Sequence, residues 1–143
     1  MSKSNSTENS FLDLLYSETA WANVAQNNST SPITDIAVAA HTSDPGEGGA
    51  QDTNEAGYTD YARVNVDRSG GWTAASGGSI SPVATISFPP SGAAGSSLTH
   101  FSTGKTGGGA TIIFHKGTVT PNIAIGAAGI TPQFSTASAI TED

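Results

Sequence analysis

The chain carries three imidazoles, His41, His100 and His115, and no cysteine, so its means for metal binding or nucleophilic catalysis are few. These three with Asp44 or Glu47 have the donor types from which strand ends could assemble a metal site, but no pair stands at ligand spacing within one element. Each is read as a strand residue hydrogen-bonded to its neighbours. Serine is abundant, yet no Gly-x-Ser-x-Gly supplies the strained turn that presents a nucleophilic serine to a base. Gly104-Lys105-Thr106 ends as a phosphate loop ends, but the glycine required five positions earlier is Thr99 and no helix follows. A hairpin turn is the better reading. Asp44, Glu47, Asp52, Glu55 and Asp60 crowd one stretch without the Asp-x-Asp-x-Asp-Gly order of a calcium loop, which makes them a solvated acidic face. The glycosylation triplets at Asn5 and Asn28 carry no weight in a chain so rich in Asn, Ser and Thr. No catalytic residue, metal ligand or cofactor is nominated, and the chain is expected not to be an enzyme.

The elements that must position these residues follow from composition. At 143 residues with 36% hydrophobic content, the chain suffices for one domain that uses its apolar residues economically. Its net charge is −7, and the five cations Lys3, Arg63, Arg68, Lys105 and Lys116 form no basic stripe, so nucleic acid is not an expected partner. No run approaches the roughly 18 apolar residues of a spanning helix, and the polar start does not read as an export signal. The chain is therefore expected to be neither exported by such a signal nor held in a membrane.

Strands are expected over residues 33–42, 61–67, 84–89, 97–102 and 111–115, with shorter pieces near 122–125 and 133–135 and Gly-rich connections such as Gly107-Gly108-Gly109. About seven short strands without an intervening helix predict an all-β fold, an antiparallel β-sandwich or jelly-roll-like barrel over residues 32–143. Residues 43–57 form an exposed loop and residues 27–32 another. Residues 1–31 form an N-terminal arm and linker. Its polar beginning, residues 2–10, orders only on a partner. Within the arm, one short amphipathic helix spans about 8–20, with Asn5 and Glu8 as a capping pair. So short a helix needs a docking groove, which makes Phe11, Leu12, Leu14, Leu15, Tyr16 and Trp21 the candidate partner-binding residues.

The order of Ser10-Phe11-Leu12-Asp13-Leu14-Leu15, Ile36-Ala37-Val38-Ala39, Thr42-Ser43-Asp44-Pro45-Gly46-Glu47 and Gly57-Tyr58-Thr59-Asp60-Tyr61-Ala62-Arg63 resembles a family of small tailed-phage virion proteins. The likeness continues through Gly77-Gly78-Ser79-Ile80-Ser81, Ile86-Ser87-Phe88-Pro89, Leu98-Thr99-His100-Phe101 and Ala127-Ala128-Gly129-Ile130-Thr131-Pro132-Gln133-Phe134, so it covers nearly the whole chain. Members are often labelled tail fibre protein, and some resemble capsid decoration proteins. After Ser102 the chain departs from the family's usual apolar strand end and acidic turn.

The resemblance implies a structural protein of the virion. The first expectation is a capsid decoration or cement protein, bound to the major capsid protein through its arm and helix and to copies of itself as a trimer, on the head surface. The alternative is a tail-fibre or receptor-binding tip that presents Tyr58, Tyr61 and Trp72 to a host glycan. A cell-wall polysaccharide-degrading enzyme is a remote third, since it needs two carboxylates facing across a cleft and the sequence nominates no such pair.

Overall fold

The computed structural model describes residues 3–25 and 32–142. The loop expected over residues 27–32 lies outside them apart from Pro32. Among the described residues one helix, α1 (Asn5–Tyr16), precedes eight strands: β1 (Asp35–His41), β2 (Val64–Asp67), β3 (Ser79–Ile80), β4 (Ile86–Ser87), β5 (Leu98–Lys105), β6 (Ile113–Ile123), β7 (Gln133–Phe134) and β8 (Ile140–Thr141). The fold is all-β and antiparallel with a single short N-terminal helix, as the sequence predicts. A four-stranded sheet has the order β2-β1-β5-β6, and β3–β8 and β4–β7 are two-stranded ladders.

Two compact units share the chain. The first draws on residues 1–34, 66–86 and 134–143, the second on 35–65 and 87–133. The cuts fall inside β2, β4 and β7, so this division differs from an arm over 1–31 followed by a body over 32–143. The helix belongs to a unit built with residues 66–86 and the C-terminal segment.

In the first unit, Ser4 is the N-cap, with extended φ/ψ and a side-chain oxygen that accepts the Thr7 N–H at 3.4 Å. Ser4 thus takes the role expected of Asn5, and Glu8 supplies the first-turn negative charge that the helix dipole favours. Glu8, Leu12 and Tyr16 are the buried residues of α1, an i, i+4, i+8 stripe. Residues 5–10, expected to order only on a partner, are helical because the unit itself holds them. Asn9 Oδ1 accepts the Gly78 N–H at 2.7 Å, Asp13 Oδ1 accepts the Ala75 N–H at 2.7 Å, and Lys3 pairs with Glu142 at 2.8 Å.

The helix ends at Tyr16, with Glu18 at φ 56° reversing the chain and the Ser17 and Thr19 N–H groups returning to the Asp13 carbonyl. The last-turn carbonyls would then lack partners. Arg68, 5% exposed, supplies them: Nε donates to Leu15 O at 2.7 Å, Nη2 to Leu14 O at 2.8 Å and Nη1 to Ile33 O at 2.8 Å. Tyr16 stacks edge-on against Trp72 with ring centroids 4.8 Å apart.

In the second unit, every β1 residue from Ile36 to His41 is buried, which fits a strand covered on both faces. Ile36 pairs with Lys105 and His41 with His100 across the β1–β5 ladder. β5 continues through Gly104 and Lys105, so those residues end a strand instead of forming the turn expected of them. A Cβ at Gly104 would strike the Ile112 carbonyl and stand 2.6 Å from Gln51 Cδ, so packing explains this glycine without a phosphate. β6 joins the two pieces expected near 111–115 and 122–125, and its register against β5 shifts between Leu98 and His100, which opens a bulge.

Candidate functional site

Three side chains converge inside the second unit. His41 Nδ1 lies 3.0 Å from the Thr53 carbonyl, which only accepts, so Nδ1 carries the proton. Nε2 is then free to accept the Ser102 hydroxyl at 2.8 Å. This is the bonding of a serine and its base, but both residues are 0% exposed, so no substrate carbonyl reaches the hydroxyl. Burial pushes the His41 pKa down, with the Thr53 carbonyl and Glu55 opposing and Arg63 and His100 adding to the shift. Gln51, also 0% exposed, donates from Nε2 to Ala37 O at 3.0 Å and to Ser102 Oγ at 3.5 Å. The loop over 43–57 is thus anchored by a buried amide that its polar composition conceals.

Beside this cluster, Arg63 organises the surface. Nε and Nη2 grip the two Glu55 carboxylate oxygens at 2.6 and 2.8 Å, a fork-to-fork pair that raises the arginine's pKa further. Nη1 reaches Thr111 Oγ1 at 2.7 Å and Gly107 O at 3.0 Å, and Nη2 reaches Gly109 O at 2.8 Å. One guanidinium therefore ties the Gly-rich connection between β5 and β6 to the residue 51–55 segment. Tyr61 OH donates to Glu55 Oε1 at 3.0 Å and accepts the Ala40 N–H at 3.0 Å. Its hydroxyl is held far above the ordinary tyrosine pKa, chiefly by burial.

Glu55 also borders a groove of about 350 Å³, with Thr42, Gly57, Tyr58, Thr59, Ala94, Gly95 and Ser96 as its other lining residues. Asn54 at φ 53° and Asp60 at φ 73° bracket the 55–59 wall, both in the left-handed region that non-glycine residues seldom occupy. Asn54 is held by its own side chain, whose Nδ2 donates to Asp44 O at 2.9 Å, and the Asp60 carboxylate lies where a side chain at residue 92 would otherwise sit. Gly95 lets the opposite wall close on Tyr58, since a Cβ there would be 2.9 Å from Tyr58 Cβ. Tyr58 donates its hydroxyl to Pro89 O at 2.8 Å.

The residues nominated for partner binding do not share one exposed face. Leu12 and Tyr16 are 0% exposed inside their own unit, Leu14, Leu15 and Trp21 are half-buried, and Phe11 alone is open, at 39%. The i, i+4 stripe that anchors the helix turns Phe11 outward. The aromatics expected on an exposed tip are also packed: Tyr58 and Trp72 are 6% exposed and Tyr61 is half-buried against Phe88. Asp44 and Glu47, considered beside His41 as metal donors, pair instead with Lys116 at 3.1 Å each. Among the described residues no group of three or more His, Asp or Glu is arranged to hold a metal ion.

A family model described as podophage GP4 fiber I protein gp80 matches residues 2–138. No curated protein matches the chain.

Proposed function

The chain belongs to the podophage GP4 fiber I protein gp80 family, a family of fibre-type virion structural proteins, and from that premise we propose that it is a tail-fibre subunit. It works by contact, with copies of itself, with neighbouring tail proteins and with a glycan of the host surface, and it has no catalytic role. The observation that carries this reading is the span of the match, since residues 2–138 reach through both compact units. The closed His41–Ser102 pair agrees with it. Capsid decoration, with the major capsid protein as partner, draws less support. Leu12 and Tyr16, the heart of the proposed capsid grip, are already used inside their own unit.

Mass spectrometry of separated heads and tails tests the assignment. Copies that track the tail proteins, at a few to a few tens per particle, are expected. Hundreds of copies tracking the shell would return the chain to decoration.

A further inference from the structure

The groove of the second unit is a polar depression whose chemistry is selective. Its lone ionisable carboxylate, Glu55, is already held by two nitrogens of Arg63 and by the Tyr61 hydroxyl, so it offers no free charge to a cation. No basic side chain lines the groove, so anions find no counter-charge. What remains is hydroxyl and backbone. Thr59 and Ser96 line it with hydroxyls that have no hydrogen-bond partner among the described residues, and Gly57 leaves open space beside them. We propose that this groove, walled by Thr42, Glu55, Gly57, Thr59, Gly95 and Ser96, binds a neutral, hydroxyl-rich saccharide. The proposal deepens the fibre reading and rests on it for biological context.

The match is one of donors and acceptors. Sugar hydroxyls both donate and accept, as do the Thr59 and Ser96 hydroxyls. Glu55 Oε1 already accepts from Arg63 Nε and Tyr61 OH, but Oε2, held by Arg63 Nη2 at 2.8 Å, keeps acceptor capacity for a sugar hydroxyl. Asn54 and Asp60 take left-handed backbone at the two ends of the 55–59 segment, and Asn54 is held there by its bond to Asp44 O, a pattern that collects at ligand-clamping segments. Because Tyr58 is buried to 6% exposure and bonded to Pro89, it presents no ring face for stacking. A single groove therefore binds in the millimolar range, and many copies on one particle supply avidity.

Gly57 provides a clean test, because a Cβ there meets nothing within 4 Å and its φ is not left-handed. Gly57→Leu fills the groove and leaves the fold intact, while Thr59→Val and Ser96→Ala remove hydroxyls at nearly constant volume. The full-length chain, labelled with nitrogen-15, is titrated with glucose, galactose, mannose, rhamnose, N-acetylglucosamine and their neutral oligomers, and separately with sialic acid and glucosamine. The expected result is amide shifts confined to residues 42, 55–59 and 94–96 with at least one neutral sugar, weakened about tenfold or more in Gly57→Leu and less in the hydroxyl variants. Silence toward every neutral sugar, shifts centred elsewhere, preference for the charged sugars, or unchanged binding by Gly57→Leu would each overturn the proposal. Particle location is read independently: a tail protein blind to saccharides loses the groove alone, whereas a head protein loses the fibre reading first.

Discussion

Each compact unit is closed by one arginine, and the two do different work. Arg68 sits in the first unit, 5% exposed, and spends its donors on three neutral carbonyls, two of them the orphans at the end of α1. Burial lowers its pKa, with Glu18 opposing from 3.7 Å. Arg63 sits in the second unit against a carboxylate, and its remaining donors hold a Gly-rich connection. The same side chain therefore closes a helix in one place and stiffens a surface in the other. A chain with only five cations has committed two of them to architecture, which is why its basic residues form no binding stripe.

Removing Arg68 tests the first half of this contrast and should have the largest effect. Arg68→Met leaves the Leu14, Leu15 and Ile33 carbonyls without donors, and hydrogen bonds to charged groups contribute about 1.5–3 kcal/mol each. A loss of about 3 kcal/mol in urea unfolding is expected, together with reduced helical dichroism. Arg68→Lys recovers part of it, since one ammonium cannot reach three carbonyls in a fixed fork. Equal stability of Arg68→Met and the parent would mean that the guanidinium is not closing the helix.

The faces of α1 sharpen the same half. Leu12→Ala removes a fully buried side chain and should cost about 2–4 kcal/mol, whereas Phe11→Ala should stay within about 0.5 kcal/mol. The sequence shows a short amphipathic helix near Phe11–Tyr16 but not which face is buried. Phe11, Leu14 and Leu15 make an apolar cluster, while the real stripe runs through Glu8, a residue no hydrophobic pattern would select. β1 and β2 and the first part of β5 are legible because 35–41, 64–67 and 98–102 carry β-branched or alternating residues, whereas Gly104-Lys105 disguises the end of β5 as a turn and Gly117 and Pro121 interrupt the pattern of β6. β3 and β8 are not, because two residues have no period to read and, unlike β4 within Ala84–Pro89, they sit in no longer alternating run. The groove was likewise hidden. Its walls come from 42, 55–59 and 94–96, and what marks them is left-handed Asn54 and Asp60, which sequence alone reports only as ordinary loop residues.

Arg63→Met tests the second half, with a smaller and more local effect. The guanidinium is part-exposed, so about 1–2 kcal/mol of global stability is expected to go. The larger readout is hydrogen exchange, with protection lost at residues 106–111 and 51–55 while α1 is unaffected. Glu55→Gln keeps the shape but weakens the charge-assisted fork and should reproduce a milder form. Exchange that rises equally in both units would show that the arginines do not act separately.

The smallest effect near neutrality is the pH dependence that His41 gives the second unit. Its folded pKa lies below the ordinary 6.5 because it is buried, while the unfolded chain titrates at 6.5. Above that value both states are neutral and His41 contributes no slope. As pH falls from 6.5 toward the lowered folded pKa, the unfolded state takes up a proton that the folded state refuses, so stability declines by at most about 1.4 kcal/mol per pH unit. Protonating Nε2 would also turn it from acceptor to donor and break the bond from Ser102 as it now stands. Replacing the imidazole by a non-titrating amide in His41→Gln should lower stability at pH 7.5 but flatten the decline between pH 6.5 and 5. Urea midpoints of both proteins measured across that range check it. A parent curve as flat as that of His41→Gln would mean that the buried imidazole is not what makes this unit acid-sensitive.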